Sequence, residues 1–118
     1  MKPTDLEVNK KIAELESLVF IRINNQNETM AYYRHMGTDQ IVSKKLYTKS
    51  LDAQSPIKKK LEVIHYRYEL RYGKYISLAF GTDTLYGEKH RVTFMIENNE
   101  DECKASAYAL YYAILEDE

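Results

Sequence analysis

The chain has 118 residues, of which 44% are apolar and 30% charged, and its formal net charge is −1. This composition excludes an intrinsically disordered chain, and the length predicts one domain that spans residues 1–118. The lone cysteine, Cys103, excludes an internal disulfide, and no apolar run approaches the roughly 18 residues of a membrane span, so we expect a cytoplasmic protein with no membrane partner.

The first part of the chain has the signals of a helix followed by a hairpin. Thr4 and Glu7 have the spacing of a capping box, and the apolar residues after them recur at helical spacing, which predicts a helix over residues 5–16. Residues 18–23 are rich in β-branched and aromatic side chains, as is typical of a strand. An asparagine-rich turn follows, and residues 29–34 are predicted to return as a second strand.

The middle of the chain is predicted to be a long connection and then a helix. Residues 36–50 show no convincing period, and we expect a loop there with a short extended piece at 41–42. Ser55 and Pro56 are residue types that favour an N-cap and the first helical position. Apolar residues then keep helical spacing, so a second helix is predicted over residues 55–70.

A second hairpin is predicted over residues 74–96. Apolar residues alternate in both of its halves, and glycine and aspartate between the halves favour a turn. The two alternating trios are Ile76, Leu78 and Phe80, and Val92, Phe94 and Ile96. Because side chains alternate along a strand, each trio is expected to share one face of a sheet that the helices cover.

A closing helix with a broad apolar surface is predicted after this hairpin. Asn99 is expected to cap the helix, with Glu102 in its first turn. Its apolar stripe consists of Cys103, Ala107, Leu110 and Ile114. Tyr108 and Tyr112 add a second apolar arc, which either another part of the chain, such as the 36–50 loop, or a second copy must cover. We expect a homodimer in which Tyr108, Tyr112 and Leu115 take part.

These elements predict the order α-β-β-α-β-β-α and an α+β fold, with an antiparallel four-stranded sheet packed against helices. The chain resembles the phage ABA sandwich domain family, which consists of small phage and prophage proteins. Residues 7–14 (EVNKKIAE), 47–50 (YTKS) and 103–115 are similar to the opening helix, the central element and the alanine-rich closing helix of that family. The resemblance implies a phage or prophage origin and carries over no catalytic residues.

The sequence contains no pattern that points to catalysis or to a bound cofactor. His35, His65 and His90 are far apart in sequence, and Cys103 has no nearby metal-ligating partner, so no metal site is expected. No glycine-rich phosphate loop or nucleophile motif is present. We therefore expect no catalytic, cofactor-binding or metal-binding residues.

Charge is distributed unevenly along the chain. This asymmetry permits a binding surface of either sign, and two solvated helix faces are the alternative. Residues 40–74 hold nine basic and three acidic side chains, whereas residues 97–118 hold seven acidic side chains and one basic one. The chain also contains 11 tyrosines, a residue type that suits binding surfaces. The candidate partner-binding residues are Lys58, Lys59, Arg67, Arg71, Tyr72, Tyr108, Tyr112 and Glu116.

The sequence thus favours a small, non-catalytic phage accessory protein that acts in the bacterial host cytoplasm. We expect it to bind and inhibit a host protein or nucleoprotein complex, such as a defence complex of the CRISPR type. The alternative is a small nucleic-acid-binding module, in which the lysines and arginines of residues 58–72 contact phosphates and the interleaved tyrosines stack on bases.

Overall fold

The computed structural model describes residues 3–61, 63–69, 74–80, 89–96 and 101–116, with side chains for 3–61 and 101–115. In chain order the elements are α1 (Asp5–Leu15), β1 (Leu18–Ile23), β2 (Met30–His35), β3 (Ile41–Lys45), a 3₁₀ helix (Tyr47–Lys49), α2 (Leu51–Lys60), β4 (Val63–Glu69), β5 (Lys74–Phe80), β6 (Lys89–Ile96) and α3 (Glu102–Glu116). The strands form two antiparallel three-stranded sheets, β1-β2-β3 and β4-β5-β6. The α+β class is confirmed, but two sheets stand where a single four-stranded sheet was expected.

The first helix begins where its capping signal predicts. The Thr4 hydroxyl accepts a hydrogen bond from the Glu7 backbone N–H at 3.2 Å. Val8 and Ile12 of the apolar stripe are fully buried, and Leu15 is partly buried. Ser17 then adopts a left-handed φ of 58°, which reverses the chain into β1 immediately after the helix ends. The helix and the first strand therefore pack as consecutive neighbours.

The expected loop over residues 36–50 is largely regular structure. Gly37, with a φ of 75°, lies in the tight turn that joins β2 to β3. The extended piece predicted at 41–42 continues to Lys45, and the 3₁₀ helix follows directly. No period was visible in the sequence because the segment changes conformation twice within about ten residues, which is too short for either pattern to repeat.

The second helix is shorter and begins earlier than predicted. The Ser50 hydroxyl caps α2 by accepting a hydrogen bond from the Ala53 N–H at 3.1 Å, so Pro56 lies inside the helix rather than at its start. The chain then forms β4 over residues that were expected to be helical. The β-branched and aromatic residues of this segment favour a strand, and pairing with β5 outweighs their fortuitous helical spacing.

The hairpin of β5 and β6 is confirmed. Ile76 lies opposite Phe94, and Leu78 lies opposite Val92, as alternation of the two trios requires. The turn predicted between the two halves, and the side chains of both strands, lie outside the described residues.

The closing helix lies between the second sheet and α1. It contacts β5 and β6 as well as α1 and the 3₁₀ helix. Every residue from Ala105 to Leu110 is buried, so Tyr108 is covered within the chain, whereas Tyr112 is half-buried and Leu115 is exposed. The N-cap is Asp101, whose side chain accepts a hydrogen bond from the Lys104 N–H at 3.2 Å; the predicted cap, Asn99, lies outside the described residues. The homodimer itself stays a prediction.

Candidate functional site

The residues predicted to bind a partner do not come together on one helix face. Lys58 is half-buried and Lys59 is exposed, both on α2, whereas Arg67 belongs to β4. Arg71 and Tyr72 lie outside the described residues. Because α2 ends at Lys60 and Arg67 lies on β4, the basic residues of 58–72 do not share one helix, and their binding of nucleic acid stays a prediction.

The candidate residues near the acidic end of the chain differ in how far they are exposed. Tyr108 is only 6% exposed, and its hydroxyl donates a hydrogen bond to the Asp5 carboxylate at 2.5 Å, so α1 covers most of this side chain. Tyr112 is half-buried against the core. Glu116 is the last residue of α3, and its side chain lies outside the described residues. A partner-binding role for Tyr112 and Glu116 stays a prediction.

The first sheet presents a surface that the sequence did not reveal. Ala31 and Tyr33 of β2 are fully buried, so the alternate residues of this strand and their neighbours across the sheet point away from the core. A bulge between Phe20 and Arg22 leaves Ile21 unpaired and 43% exposed on the same side. We call this surface the outer face; it consists of Val19, Ile21, Arg22, Met30, Tyr32, Arg34, Ile41, Ser43 and Lys45.

The outer face is basic and apolar and carries no carboxylate. None of the three strands of this sheet contains aspartate or glutamate, although acidic residues outnumber basic ones in the whole chain. The Arg22 guanidinium lies 4.4 Å from the centroid of the Tyr32 ring, and Arg34 Nη1 donates to the Thr38 carbonyl at 3.0 Å. Both guanidinium groups thus have contacts within the chain.

The largest exposed fraction among the described apolar side chains belongs to this face. Ile41 is 59% exposed, and Val19 and Ile21 are 36% and 43% exposed. Apolar side chains of similar exposure also lie elsewhere on the chain, but those of the outer face lie beside cations and no carboxylate. The outer face is therefore the candidate functional site.

The inner side of the same sheet holds a cluster of polar groups that links four elements. Glu16 Oε1, just after α1, accepts hydrogen bonds from Lys44 Nζ at 2.6 Å and from the Tyr47 hydroxyl at 2.5 Å. Lys60 at the end of α2 donates to the Leu15 carbonyl beside them. Burial acts to raise the pKa of Glu16, but the hydrogen bonds from Lys44 and Tyr47 hold this pKa below its ordinary value. Each charge has a partner, which indicates a structural role.

Replacing Glu16 should change how stability depends on pH. Because the folded pKa of Glu16 lies below the reference value of 4.5, its contribution is fully present above that pH and is lost as the pH falls through the folded pKa. We expect Glu16→Gln to cost about 1–2 kcal/mol at neutral pH and to flatten the acid side of the stability profile. Glu14→Gln, at an exposed glutamate on the same helix, is the control. Equal acid profiles for the two variants, in urea melts across pH, would contradict this assignment.

A second buried network centres on Asn9. Its Nδ2 donates to the Asp5 carbonyl at 2.8 Å and to Thr48 Oγ1 at 2.9 Å, while its Oδ1 accepts from the Tyr47 N–H at 2.6 Å. Gln54 continues the network, since its Nε2 donates to the carbonyls of Tyr47 at 2.7 Å and Cys103 at 2.8 Å. The 3₁₀ helix is thus bonded to α1 on one side and, through Gln54, to α3 on the other.

A cleft of about 260 Å³ borders this network beside the start of α1. Its lining residues are Asp5, Leu6, Asn9, Ile23, Glu28, Leu46, Thr48 and Lys49. Asn9, the buried amide at its base, uses its donors and its acceptor within the chain. The side-chain amide of Asn9 therefore has no hydrogen-bonding group left for a ligand in the cleft, and we assign the cleft no function.

Side chains that could bind a metal ion are not clustered in the part of the chain that the structure describes. No group of three histidine, cysteine, aspartate or glutamate side chains there could hold a metal ion. Burial and the neighbouring Asp101 raise the pKa of the half-buried Cys103 thiol, which disfavours the reactive thiolate. Among the described residues, no helix is both long enough and apolar enough to cross a bilayer.

Comparison with known proteins finds no matching family model, no curated relative and no solved structure of similar fold. The resemblance to the phage ABA sandwich domain family therefore stays a prediction.

Proposed function

We infer that this protein is a non-catalytic binding protein whose outer face contacts an acidic surface of a partner protein. The single observation that carries this proposal is a three-stranded sheet whose solvent side combines cations with exposed apolar side chains and lacks any carboxylate. Buried apolar area supplies affinity in such an interface, and complementary charge supplies selectivity and speed of association.

The composition of the outer face favours a protein partner over a nucleic acid. Its apolar side chains are aliphatic, apart from Tyr32, and the ring of Tyr32 is already stacked beneath Arg22. Single-stranded nucleic acids need open aromatic platforms, whereas protein interfaces are enriched in tyrosine, methionine and arginine. The alternative module based on residues 58–72 stays a prediction, because Arg71 and Tyr72 lie outside the described residues.

Inhibition of a host protein is the biological role that we propose for this binding. The resemblance to phage domains supports it. A small protein that covers an acidic surface blocks whatever cationic partner that surface normally receives. The bacterial cytoplasm, and a defence complex in particular, is the proposed place of action.

Matched charge reversals test the proposal. The double variant Arg34→Glu, Lys45→Glu changes the outer face, and Lys49→Glu, Lys59→Glu makes the same change in net charge at exposed lysines elsewhere. We expect proteins captured from a bacterial lysate by the wild type to be retained by the second variant and to bind the first at least about tenfold more weakly. Circular dichroism of both variants controls for folding.

Two results would overturn the proposal. Equal capture by both double variants would place the binding surface elsewhere. Tight, steeply salt-dependent gel shifts of single-stranded DNA or RNA that the first variant abolishes would replace the acidic protein with a nucleic acid.

A further inference from the structure

The backbone of β3 has a free side whose hydrogen-bonding groups can be assigned. The His35 N–H donates to the Gln40 carbonyl at 3.0 Å, and the Leu46 N–H donates to the Thr29 carbonyl at 2.8 Å. Both pairs belong to the register that aligns Ala31 with Lys44. Because residues of an antiparallel pair alternate between bonded and non-bonded positions, these two bonds fix the phase of the whole ladder.

This phase directs the N–H and C=O groups of Ile41, Ser43 and Lys45 away from β2. The same three residues place their side chains on the outer face. Among the described residues, β3 pairs only with β2, so these backbone groups face an open edge. Six hydrogen-bonding groups and one exposed surface therefore meet along a single strand.

The two edges of this sheet differ in how they are protected. The edge at β1 is interrupted by the bulge between Phe20 and Arg22, and a bulge is one of the devices that blunt an edge. The edge at β3 runs from Ile41 to Lys45 without a bulge or a proline. Lys44 does not guard it, because its side chain points inward and is held by Glu16.

We propose that the partner binds by adding an extended segment antiparallel to β3, with acidic side chains at alternate positions lying over the outer face. This inference rests on the proposed function and specifies the form of the partner. In an antiparallel pair the partner residues bonded to Ile41, Ser43 and Lys45 project their side chains on that same face. Carboxylates there meet Lys45 directly and lie within reach of Arg34.

A second copy of this chain fits the edge less well. Pairing of two β3 strands would join two sheets that both lack carboxylates, and the cations of one outer face would continue into those of the other. Like charges across such a junction oppose association. An acidic strand from another protein is therefore the occupant that we assign.

A set of capped peptides in which glutamate alternates with valine tests the inference. The unmodified peptide is compared with one N-methylated at its glutamates and one N-methylated at its valines. Antiparallel pairing with glutamates on the outer face uses the glutamate N–H groups, while the valine N–H groups point away from β3. We expect methylation at glutamate to weaken binding, measured by calorimetry, by about tenfold or more, and methylation at valine to leave the affinity within about twofold.

The same experiment separates this inference from the proposed function. If all three peptides bind equally well and Arg34→Glu, Lys45→Glu abolishes their binding, the outer face recognises acidic ligands without strand addition, and only the inference fails. If methylation at valine weakens binding and methylation at glutamate does not, the antiparallel acidic strand is overturned. It is also overturned if no peptide binds while capture from the lysate still depends on Arg34 and Lys45. A stable dimer with exchange-protected amides at Ile41, Ser43 and Lys45 would overturn it in favour of a second copy.

Discussion

Asn9→Leu should destabilise the protein by about 3–5 kcal/mol, the largest effect that we expect from a single polar side chain. The substitution keeps the volume of the side chain similar, but it leaves the N–H groups of Tyr47 and Thr48 without their acceptor. Asn9 is 2% exposed, so water cannot replace these bonds without opening the contact between α1 and the 3₁₀ helix. Each stranded buried group costs about 1–3 kcal/mol.

The matched control is Asn25→Leu, at an exposed asparagine in the β1–β2 connection. We expect it to change the free energy of unfolding by no more than about 0.5 kcal/mol. Urea melts of both variants at neutral pH measure the difference. A cost at Asn9 no greater than that at Asn25 would show that the network of α1 and the 3₁₀ helix contributes nothing to stability.

Removing one hydroxyl should have opposite effects at two adjoining tyrosines. The rings of Tyr33 and Tyr47 lie 6.2 Å apart at 68°, and both residues are fully buried. Within the described residues, the Tyr33 hydroxyl has no hydrogen-bond partner, whereas the Tyr47 hydroxyl donates to Glu16. We expect Tyr33→Phe to stabilise the protein by about 1 kcal/mol and Tyr47→Phe to destabilise it by about 1–3 kcal/mol.

Each tyrosine serves as the control for the other, because the chemical change is identical. Midpoints of urea unfolding with unchanged slopes give the two free energies directly. Destabilisation by Tyr33→Phe would mean that its hydroxyl is satisfied in solution. A neutral result at Tyr47→Phe would mean that the bond to Glu16 is no better than a bond to water.

Local signals predicted the elements whose formation depends mainly on neighbours in sequence. Thr4 caps α1 through a hydrogen bond to Glu7, three residues away. The alternation of apolar residues in β5 and β6 is visible within each strand by itself. The prediction of a helix over residues 63–69 was wrong because the apolar residues of this segment fit the spacing of a helix and that of a strand equally well. Pairing with β5 decided between them, and pairing is not visible in one segment alone.

The candidate site could not be predicted from the sequence for a related reason. Residues of the outer face come from three strands, and only the register of those strands brings Arg22 beside Tyr32 and Arg34 beside Ile41. Asn9 was not singled out because the groups that it bonds lie 38 and 39 residues further along the chain. The lack of carboxylates in these strands was the one signal available, but it acquires meaning only after the solvent side is known.

The position of α3 has a consequence for how the protein is made. The hydrogen bond between Tyr108 and Asp5 joins residues 103 positions apart, and α3 covers α1 and the 3₁₀ helix that the early residues form. A nascent chain therefore emerges from the ribosome with its first sheet and α1 unable to complete their packing until α3 has been synthesised. During that interval the apolar side chains of α1 are available to chaperones and proteases, and codons or pauses that delay translation of α3 should lower the yield of folded protein.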